Sequence, residues 1–366
     1  MIDKKVFVTG STGLVGSNLC KILAEKGYKV LALVRKSSDR SFLDTIKNLE
    51  YVEGDIKDAD SISKNLKHVD YVVHCAAQVS VTSQTDNQHS DTNILGTRNL
   101  LQACVENEVK KFIHISTVAV LGLDKSHYNS DETAPYSKTG IPYSDTKIDA
   151  EKLVLSYYED KKLNVAVLRP GFIYGKNDRN GLPYIMPYLM RNQIRWIGDG
   201  SNEIALTNVI NLCNAIISSM EKDESNGNVY NITDGINVTS KEFVTELCSI
   251  LGKKPPIFGV NKKVANLGAK VSEKVIKNSD FNTGTLHMFS NNFSYDISKA
   301  KKDLEYNPDT NWKTYLKESV DWYIANNSTQ LENVKKYLNT LKVIKIAFSL
   351  GFMVLLAILG TKKKKK

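Results

Sequence analysis

The sequence is poor in cysteine and lacks the cysteine and histidine spacings that hold a metal. Its five cysteines are scattered, with no Cys-x-x-Cys pair. This distribution argues against a zinc site and indicates reduced core thiols in a cytosolic compartment. The sequence also lacks an N-terminal signal-peptide pattern, because it leads at once into a buried strand.

A basic face for nucleic acid is also lacking. The formal net charge is +9, but residues 362–366 carry five of these charges, which leaves four for the rest of the chain. We therefore expect no nucleic-acid partner. With 366 residues, of which 42% are hydrophobic, the chain is long enough for a large core and two lobes.

Three glycines at three-residue spacing, Gly10, Gly13 and Gly16, separate a short apolar run from a helical pattern. Strand, glycine turn and helix is the context in which such glycines bind a dinucleotide. A turn without Cβ atoms lets backbone N–H groups approach a pyrophosphate, and the next helix points its positive N-terminus at the same charge. The alternative is a tight turn that only packs the helix on the strand.

Strand and helix patterns then alternate, which predicts an α/β fold with a doubly wound parallel sheet. Further strands are predicted at residues 29–34, 51–56, 71–77, 111–116 and 165–168. A helix is predicted over residues 93–101, with Asn93 as its N-terminal cap. Beyond Gly175 the rhythm changes, with a helix at 182–191 and a strand at 229–232, which suits a lobe that covers the substrate. Residues 253–282 carry lysine-rich helical patterns without chemistry that we can assign.

The residues after the second and third strands bear on the cofactor. NAD-binding sheets usually carry an acid at the end of the second strand, but here Val34 is followed by Arg35. A guanidinium pairs with a 2′-phosphate, so this position favours NADP over NAD, unless Arg35 is only a solvated strand end. Asp55 is a candidate acceptor for an adenine amino group, or else a turn aspartate. The small Ala76 and Ala77 leave room for a dinucleotide over the fourth strand.

Tyr143 and Lys147 stand four residues apart in a helical pattern, so they share one face of the helix. Such a pair is common by chance, but this one follows Ser116 and Thr117 at the end of the fifth predicted strand. That placement indicates a catalytic pair.

In combination, these motifs resemble the extended short-chain dehydrogenase/reductase family of the NAD-dependent epimerase/dehydratase superfamily. The resemblance covers roughly residues 4–325. The motifs are TGSTGLVG (9–16), GDI (54–56), HCAA (74–77), NILGT (93–97), IST (115–117), YSDTK (143–147), RPGFIYG (169–175), YNITDG (230–235) and SKAKKDLEYNP (298–308).

The resemblance implies a Rossmann dinucleotide-binding domain over residues 1–175 and a smaller substrate-binding lobe over residues 176–327, with partly interleaved strands. It also implies a set of cofactor-binding residues. They are Gly10, Thr12, Gly13, Leu14, Val15, Gly16, Arg35, Asp55, Ile56, Ala76, Ala77, Tyr143, Lys147 and Pro170.

The same resemblance implies the catalytic roles. Tyr143 is the expected general acid/base. Lys147 is expected to lower the pKa of Tyr143 from its ordinary value of ~10 and to hold the nicotinamide ribose. Thr117, at a position where serine is more usual, is expected to steady the substrate oxygen, with Ser116 as the fallback. The alternative is that both hydroxyl residues only end a strand.

The substrate branch rests on residues 198–212. Aligned on the GDG turn, Ile204 stands where nucleotide-sugar epimerases typically carry an arginine that grips the diphosphate. The segment looks more like the 3-beta-hydroxysteroid and sterol dehydrogenase branch, or the dihydroflavonol-reductase-like branch. We therefore expect alcohol and ketone interconversion on a hydrophobic substrate, with a nucleotide-sugar epimerase or dehydratase as the alternative. A non-catalytic dinucleotide sensor is a third hypothesis.

The carboxyl end carries an apolar run over residues 343–360, interrupted only by Lys345 and Ser349. This length is near the lower limit for crossing a bilayer core of ~30 Å. We predict a linker at 328–342, a membrane anchor at 343–361 and a lysine tail at 362–366, with the catalytic domain in the cytosol. In a eukaryote the terminal lysines would also resemble an endoplasmic-reticulum retrieval signal. An interfacial helix or a homodimer contact remains the alternative for this run.

Overall fold

The computed structural model describes residues 2–79, 86–276 and 281–327. Within these ranges no helix is both long and apolar enough to cross a membrane. The predicted linker, membrane anchor and lysine tail at residues 328–366 lie outside the described residues.

The strands of the described residues are numbered in chain order. They are β1 (Lys5–Thr9), β2 (Lys29–Val34), β3 (Leu49–Glu53), β4 (Tyr71–His74), β5 (Lys111–Ile115), β6 (His127–Ser130), β7 (Val165–Pro170), β8 (Phe172–Tyr174), β9 (Trp196–Ile197), β10 (Glu203–Ile204), β11 (Leu206–Asn208), β12 (Asn228–Ile232), β13 (Val238–Thr239), β14 (Gly259–Val260) and β15 (Phe293–Tyr295).

The α-helices of the same ranges are numbered in the same way. They are α1 (Leu14–Glu25), α2 (Ala59–Ser63), α3 (Asp86–His89), α4 (Gly96–Glu106), α5 (Pro142–Glu159), α6 (Gly181–Met190), α7 (Val209–Glu221), α8 (Ser240–Ile250), α9 (Lys262–Val275), α10 (Thr283–Ser290), α11 (Ser298–Asp303) and α12 (Trp312–Asn326).

Seven strands form one parallel sheet in the order β12-β7-β5-β4-β1-β2-β3. The strand β1 lies inside the sheet, between β4 and β2, and shows why the sheet is covered on both faces. Val6 and Val8 join the core cluster that includes residues of α1 and α7, whereas Phe7 joins the cluster that includes residues of α2, α4 and α5. Alternate side chains of a strand point to opposite faces, so an unbroken apolar strand needs helices on both. The predicted doubly wound parallel sheet is confirmed.

The chain leaves this sheet after β7 and later returns to it. The strand β12 pairs with β7 in parallel, and α7 contacts α1 on one face of the sheet. A separate core cluster joins α6, α8 and α12 through residues such as Met186, Leu247 and Leu316. The domain boundary at residue 175 stays a prediction.

Asn93 does not cap a helix, and this prediction was wrong. Asn93 lies inside a π-helical segment, Ser90–Leu95, which runs directly into α4. Its buried side chain accepts from the Gln78 backbone N–H at 2.8 Å and donates to the Thr146 hydroxyl at 3.0 Å. These partners are distant in sequence, so the local pattern alone suggested a helix start.

Candidate active site

The turn between β1 and α1 leaves no room for a side chain at Gly10, and none at Gly16 in the helix that follows. Gly10 has φ of +63°, and a Cβ placed on it would lie 2.7 Å from the Ala76 backbone nitrogen. A Cβ on Gly16 would lie 2.3 Å from the Gly10 carbonyl oxygen. The helix α1 begins directly after Gly13, with no side chain capping its N-terminus and no acidic residue in its first turn. Its free N–H groups and the positive end of its dipole therefore suit the pyrophosphate of a dinucleotide, which this cradle fits.

A chain of buried hydrogen bonds fixes this turn to the neighbouring strand. The Ala76 N–H donates to the Thr9 hydroxyl at 3.2 Å, and Thr9 lies 2.7 Å from His74 Nδ1. On the other side, His74 Nε2 lies 3.0 Å from the Thr97 hydroxyl, which donates to the Asn93 carbonyl at 2.6 Å. This network assigns the proton of His74 to Nε2, with Thr9 donating to Nδ1.

Burial keeps His74 neutral in this chain of bonds. Burial, with a smaller effect of Lys147, lowers the pKa of His74 to about 3. The sequence prediction included Ala76 and Ala77 but gave His74 and Thr97 no role. The HCAA motif contained the signal, since the large majority of buried polar side chains are hydrogen-bonded.

The other predicted cofactor residues lie along the same edge of the sheet. The Gly54 N–H donates to the Val34 carbonyl at 3.0 Å. The next residue of each strand end, Asp55 after Gly54 and Arg35 after Val34, is therefore attached to adjacent backbone. Arg35 is exposed and makes no ion pair with any described residue. Asp55 is half-buried, and one carboxylate oxygen accepts from the Lys57 N–H at 3.0 Å, which is the turn role named as the alternative.

Some of the predicted cofactor residues have packing roles that the structure makes plain. Ile56 is buried and would contact a Cβ placed on Gly96 at 2.6 Å. Val15 and Leu14 pack partly buried against the core. Pro170 is the buried last residue of β7, opposite Ile232. The Thr12 backbone carbonyl accepts from the Asn177 side chain at 3.4 Å.

Thr117, Tyr143 and Lys147 meet at the carboxyl end of β5. Tyr143 lies in the first turn of α5, and its phenol is close enough to Thr117 for Thr117 to lower its pKa. Lys147, only 2% exposed, donates from Nζ to the Ile115 carbonyl at 2.7 Å and to His114 Nε2 at 3.1 Å. The carboxyl end of β5 therefore lies beside both Tyr143 and Lys147, the predicted catalytic pair.

Burial shifts the pKa values of both Tyr143 and Lys147. Burial raises the pKa of Tyr143, and the nearby Thr117 side chain opposes that shift. Burial also lowers the pKa of Lys147 to about 8, while Glu151 and Cys75 oppose the shift. Lys147 directs its ammonium to β5, and its expected effect on the pKa of the Tyr143 phenol stays a prediction.

The two hydroxyl residues before α5 are not equivalent. The Ser116 hydroxyl donates to Glu151, whose carboxylate also receives Arg169 at 2.6 Å and the Tyr136 hydroxyl at 2.9 Å. The Thr117 oxygen accepts from the Ala119 N–H at 3.2 Å, which leaves its own proton free to donate. Thr117 is therefore better placed than Ser116 to serve a ligand beside Tyr143.

The surroundings of Tyr143 are apolar. It packs, partly buried, against a cluster that holds Val118, Ala119 and Phe293, with Ile141 and Met288 at its margin. Ile204, at the position where nucleotide-sugar epimerases typically carry an arginine, is 9% exposed and pairs with Val238 of β13. Among the described residues, no group of His, Cys, Asp and Glu is arranged to hold a metal ion.

Parallel sheet, glycine cradle and tyrosine–lysine pair together define a dinucleotide-dependent oxidoreductase. The sequence model of the NAD dependent epimerase/dehydratase family matches residues 6–233. The chain belongs to this family, and it is an NAD(P)-dependent dehydrogenase/reductase of the extended short-chain type.

The relatives act on different substrates. A 4-hydroxy-2-methyl-3-oxo-4-farnesyl-3,4-dihydroquinoline-1-oxide ketoreductase of Stigmatella aurantiaca is 29% identical, over 74% of this chain and 80% of its own. A UDP-glucose 4-epimerase of Vibrio cholerae is 27% identical, over 89% and 98%. A 3-beta-hydroxysteroid dehydrogenase of Mycolicibacterium neoaurum is 26% identical, over 87% and 91%.

A solved structure agrees with the fold. The crystal structure of gox2253 is 27% identical to this chain and superposes with a TM-score of 0.75, covering 88% of this chain and 99% of its own. This likeness extends beyond the seven-stranded sheet to most of the described lobe.

Proposed function

We propose that this enzyme interconverts an alcohol and a ketone on a hydrophobic, steroid-like or isoprenoid-like substrate. The observation that carries the proposal is that Tyr143 and Thr117 meet at one apolar cluster. Tyr143 packs against this cluster, and Thr117 directly precedes its members Val118 and Ala119. Apolar walls with two polar groups at one point suit a ligand that is hydrophobic except for one oxygen. The farnesylated substrate of the Stigmatella ketoreductase and the steroid named for the Mycolicibacterium enzyme support this substrate class.

The side chains of this site supply a proton and hold an oxygen. A bound nicotinamide cofactor supplies or accepts the hydride. In the reducing direction Thr117 donates a hydrogen bond to the ketone oxygen, and Tyr143 gives its proton to that oxygen as negative charge develops there. Because burial raises the pKa of Tyr143, the phenol is protonated at neutral pH, which suits proton donation.

Lys147 keeps a donor for the cofactor. An ammonium has three N–H bonds, of which Ile115 and His114 take two. The third would hold a hydroxyl of the nicotinamide ribose. With a pKa of about 8, Lys147 is mostly charged at neutral pH.

The cofactor that we propose is NADP. Arg35 supports this choice because it is exposed at the end of β2 and makes no ion pair with the described residues. No acidic residue follows β2 directly, so a 2′-phosphate would meet a cation rather than a carboxylate. NAD is the alternative, and it is the cofactor in the family's name.

The second candidate is a nucleotide-sugar epimerase or dehydratase, which the Vibrio relative favours. The buried Ile204 speaks against it, since an apolar side chain offers no charge to a diphosphate. The two candidates differ in what happens to the cofactor, because an epimerase returns it unchanged.

The test is to purify the whole chain in detergent, to identify co-purifying lipids and nucleotides by mass spectrometry, and to assay three substrates. We expect oxidation of NADPH with a 3-ketosteroid or a prenylated ketone, and no reaction with UDP-glucose. A bound sugar nucleotide with NAD⁺, and epimerisation without net NADH formation, would overturn both the substrate and the cofactor assignments.

We also propose that residues 343–361 anchor the protein in a membrane, with the catalytic domain in the cytosol, on the endoplasmic reticulum if the cell is eukaryotic. The apolar run and the five lysines after it support this placement. Extraction of membranes with carbonate should leave the protein in the pellet. Release into the supernatant would exclude the anchor.

A further inference from the structure

The helix α9 exposes its large apolar side chains and buries its small ones. Four exposed residues follow the helical repeat and lie within one stripe, because successive residues are turned by ~100°. They are Val264 (63% exposed), Leu267 (65%), Val271 (53%) and Val275 (77%). The buried contacts of α9 come from Ala265 and Ala269 on the far side of the helix.

Exposed apolar residues also flank the helix in the sequence. Ile276 follows it directly at 55% exposure, and Ile257 and Phe258, just before β14, are 93% and 63% exposed. Together with the four helical residues they form the α9 face. An exposed apolar surface of this extent marks an interaction site rather than an ordinary protein surface.

Hydrogen bonds and packing hold α9 in this orientation. Lys262 donates to Asn291 at 2.7 Å, near the end of α10, and Glu273 accepts from the Thr283 N–H at 2.6 Å, where α10 begins. Between these two points, Ala265 and Ala269 pack against Leu286 of α10. The outward direction of the stripe is therefore fixed by contacts at both ends of the helix.

The charges of the segment that carries the α9 face are nearly all positive. Residues 253–276 hold six lysines and one acid, Glu273, whose carboxylate receives Thr283. Lys263, Lys270 and Lys274 fall along one edge of the stripe by the helical repeat. Arg195 adds a guanidinium over the ring of Phe258 at 5.2 Å.

We infer that the α9 face is a docking surface for an anionic lipid bilayer. An apolar stripe bordered by lysines lies in the membrane interface, with the apolar side chains among the acyl chains and the ammonium groups at the phosphates. A second copy of this chain is a poorer occupant, because it would bring the same lysines face to face.

This placement would bring the bilayer close to the catalytic tyrosine. Met288 of α10 packs into the apolar cluster that also contacts Tyr143, and a Cβ placed on Gly284 would lie 3.4 Å from Ile141. One helix, α10, thus separates the α9 face from the catalytic cluster. A lipophilic ligand would have a short path between membrane and site.

The test measures the surroundings of one residue in the full-length protein. A fluorophore that responds to polarity is attached to Leu267→Cys, and a matched label on Val105→Cys, 37% exposed on α4, serves as the control. Of the native cysteines, four are buried and Cys75 is half-buried, so the labelled protein is compared with the labelled parent. Vesicles contain phosphatidylcholine with 30% phosphatidylserine, or phosphatidylcholine alone.

We expect blue-shifted emission at residue 267, with quenching by nitroxide-labelled lipids, in the anionic vesicles and not at residue 105. Replacing Lys263 and Lys270 with glutamate should weaken this insertion by at least tenfold, since each lysine near an anionic surface contributes about fivefold. The readout needs no turnover, so its failure would leave the proposed reaction untouched.

Three results would overturn the inference. The first is a label that stays as accessible to aqueous iodide with vesicles as without them. The second is burial without lipid that grows with protein concentration, which would assign the face to a second copy. The third is burial without lipid at every concentration, which would assign it to residues 343–360 of the same chain.

Discussion

The catalytic end of the main sheet and the helix α9 use small residues in opposite ways. At the sheet, Gly10 and Gly16 are small because backbone atoms surround them at 2.7 and 2.3 Å from the position of a Cβ. In α9, alanines face the protein, and leucine and valine face outward. Contacts inside the chain explain why Gly10 and Gly16 must be small. No contact within the described residues explains why leucine and valine of α9 face outward. Variants in the two regions should therefore affect different properties of the protein.

The largest effect is expected for Tyr143→Phe, which removes the proton donor and keeps the ring. We expect kcat to fall about a thousandfold, within the usual range for loss of a general acid. The matched variant in the other region is Leu267→Ser, which should leave kcat on a water-soluble ketone within about twofold. An equal loss of kcat in the two variants would remove the distinction between the regions.

The next largest effect is expected from replacing one glycine in each region with alanine. Gly16→Ala would force a Cβ against the Gly10 carbonyl, and we expect the free energy of unfolding to fall by about 3 kcal/mol, together with loss of dinucleotide binding. Gly268→Ala in α9 would meet only the ring of Phe281, at 3.3 Å, while gaining helix propensity. Its unfolding free energy should stay within about 1 kcal/mol of the parent. Chemical denaturation and dinucleotide titration of both variants measure these effects.

The sheet could be predicted from the sequence because its signals are local. Apolar runs bounded by turns give buried parallel strands, and a four-residue spacing puts Tyr143 and Lys147 on one helical face. The end of the Lys29–Val34 run was predicted at the residue where β2 ends. These features depend on neighbours a few residues away.

The rest depended on partners that are distant in the chain. Ser116 is bound to Glu151, and His114 to Lys147, through contacts between β5 and α5. Asn93 was mistaken for a cap for the same reason. The lysine-rich pattern after residue 252 predicted helices, but only the packing of Ala265 and Ala269 on α10 shows which face of α9 is left outside.

Cofactor preference should change moderately on Arg35→Ala. If the guanidinium pairs with a 2′-phosphate, one charge-assisted contact is lost, and kcat/KM with NADPH should fall about 10- to 30-fold. The value with NADH should stay unchanged. Lys36→Ala is the matched control, because Lys36 stands next in sequence and faces Glu53 at 3.7 Å. Equal losses with both cofactors would show that Arg35 serves the fold and not the phosphate.

The smallest effect, and the most specific, concerns Lys147. Its pKa of about 8 means that its ammonium is lost as pH rises through that value, so kcat/KM should fall above about pH 8. Burial holds the pKa of His114 well below the ordinary value, so its imidazole is neutral. The neutral ring accepts a hydrogen bond from the Lys147 ammonium and therefore favours the charged form of Lys147. His114→Phe should therefore move the alkaline limb, which is this fall of kcat/KM, to lower pH by up to about one unit. It should leave kcat near pH 6 within about threefold.

The control is Phe112→Leu, two residues earlier in β5, which disturbs the same strand but no hydrogen bond of Lys147 and should keep the limb in place. A limb that stays near pH 8 in His114→Phe would mean that the Ile115 carbonyl alone holds the lysine. A limb that moves with both variants would trace the shift to the packing of β5 rather than to the imidazole.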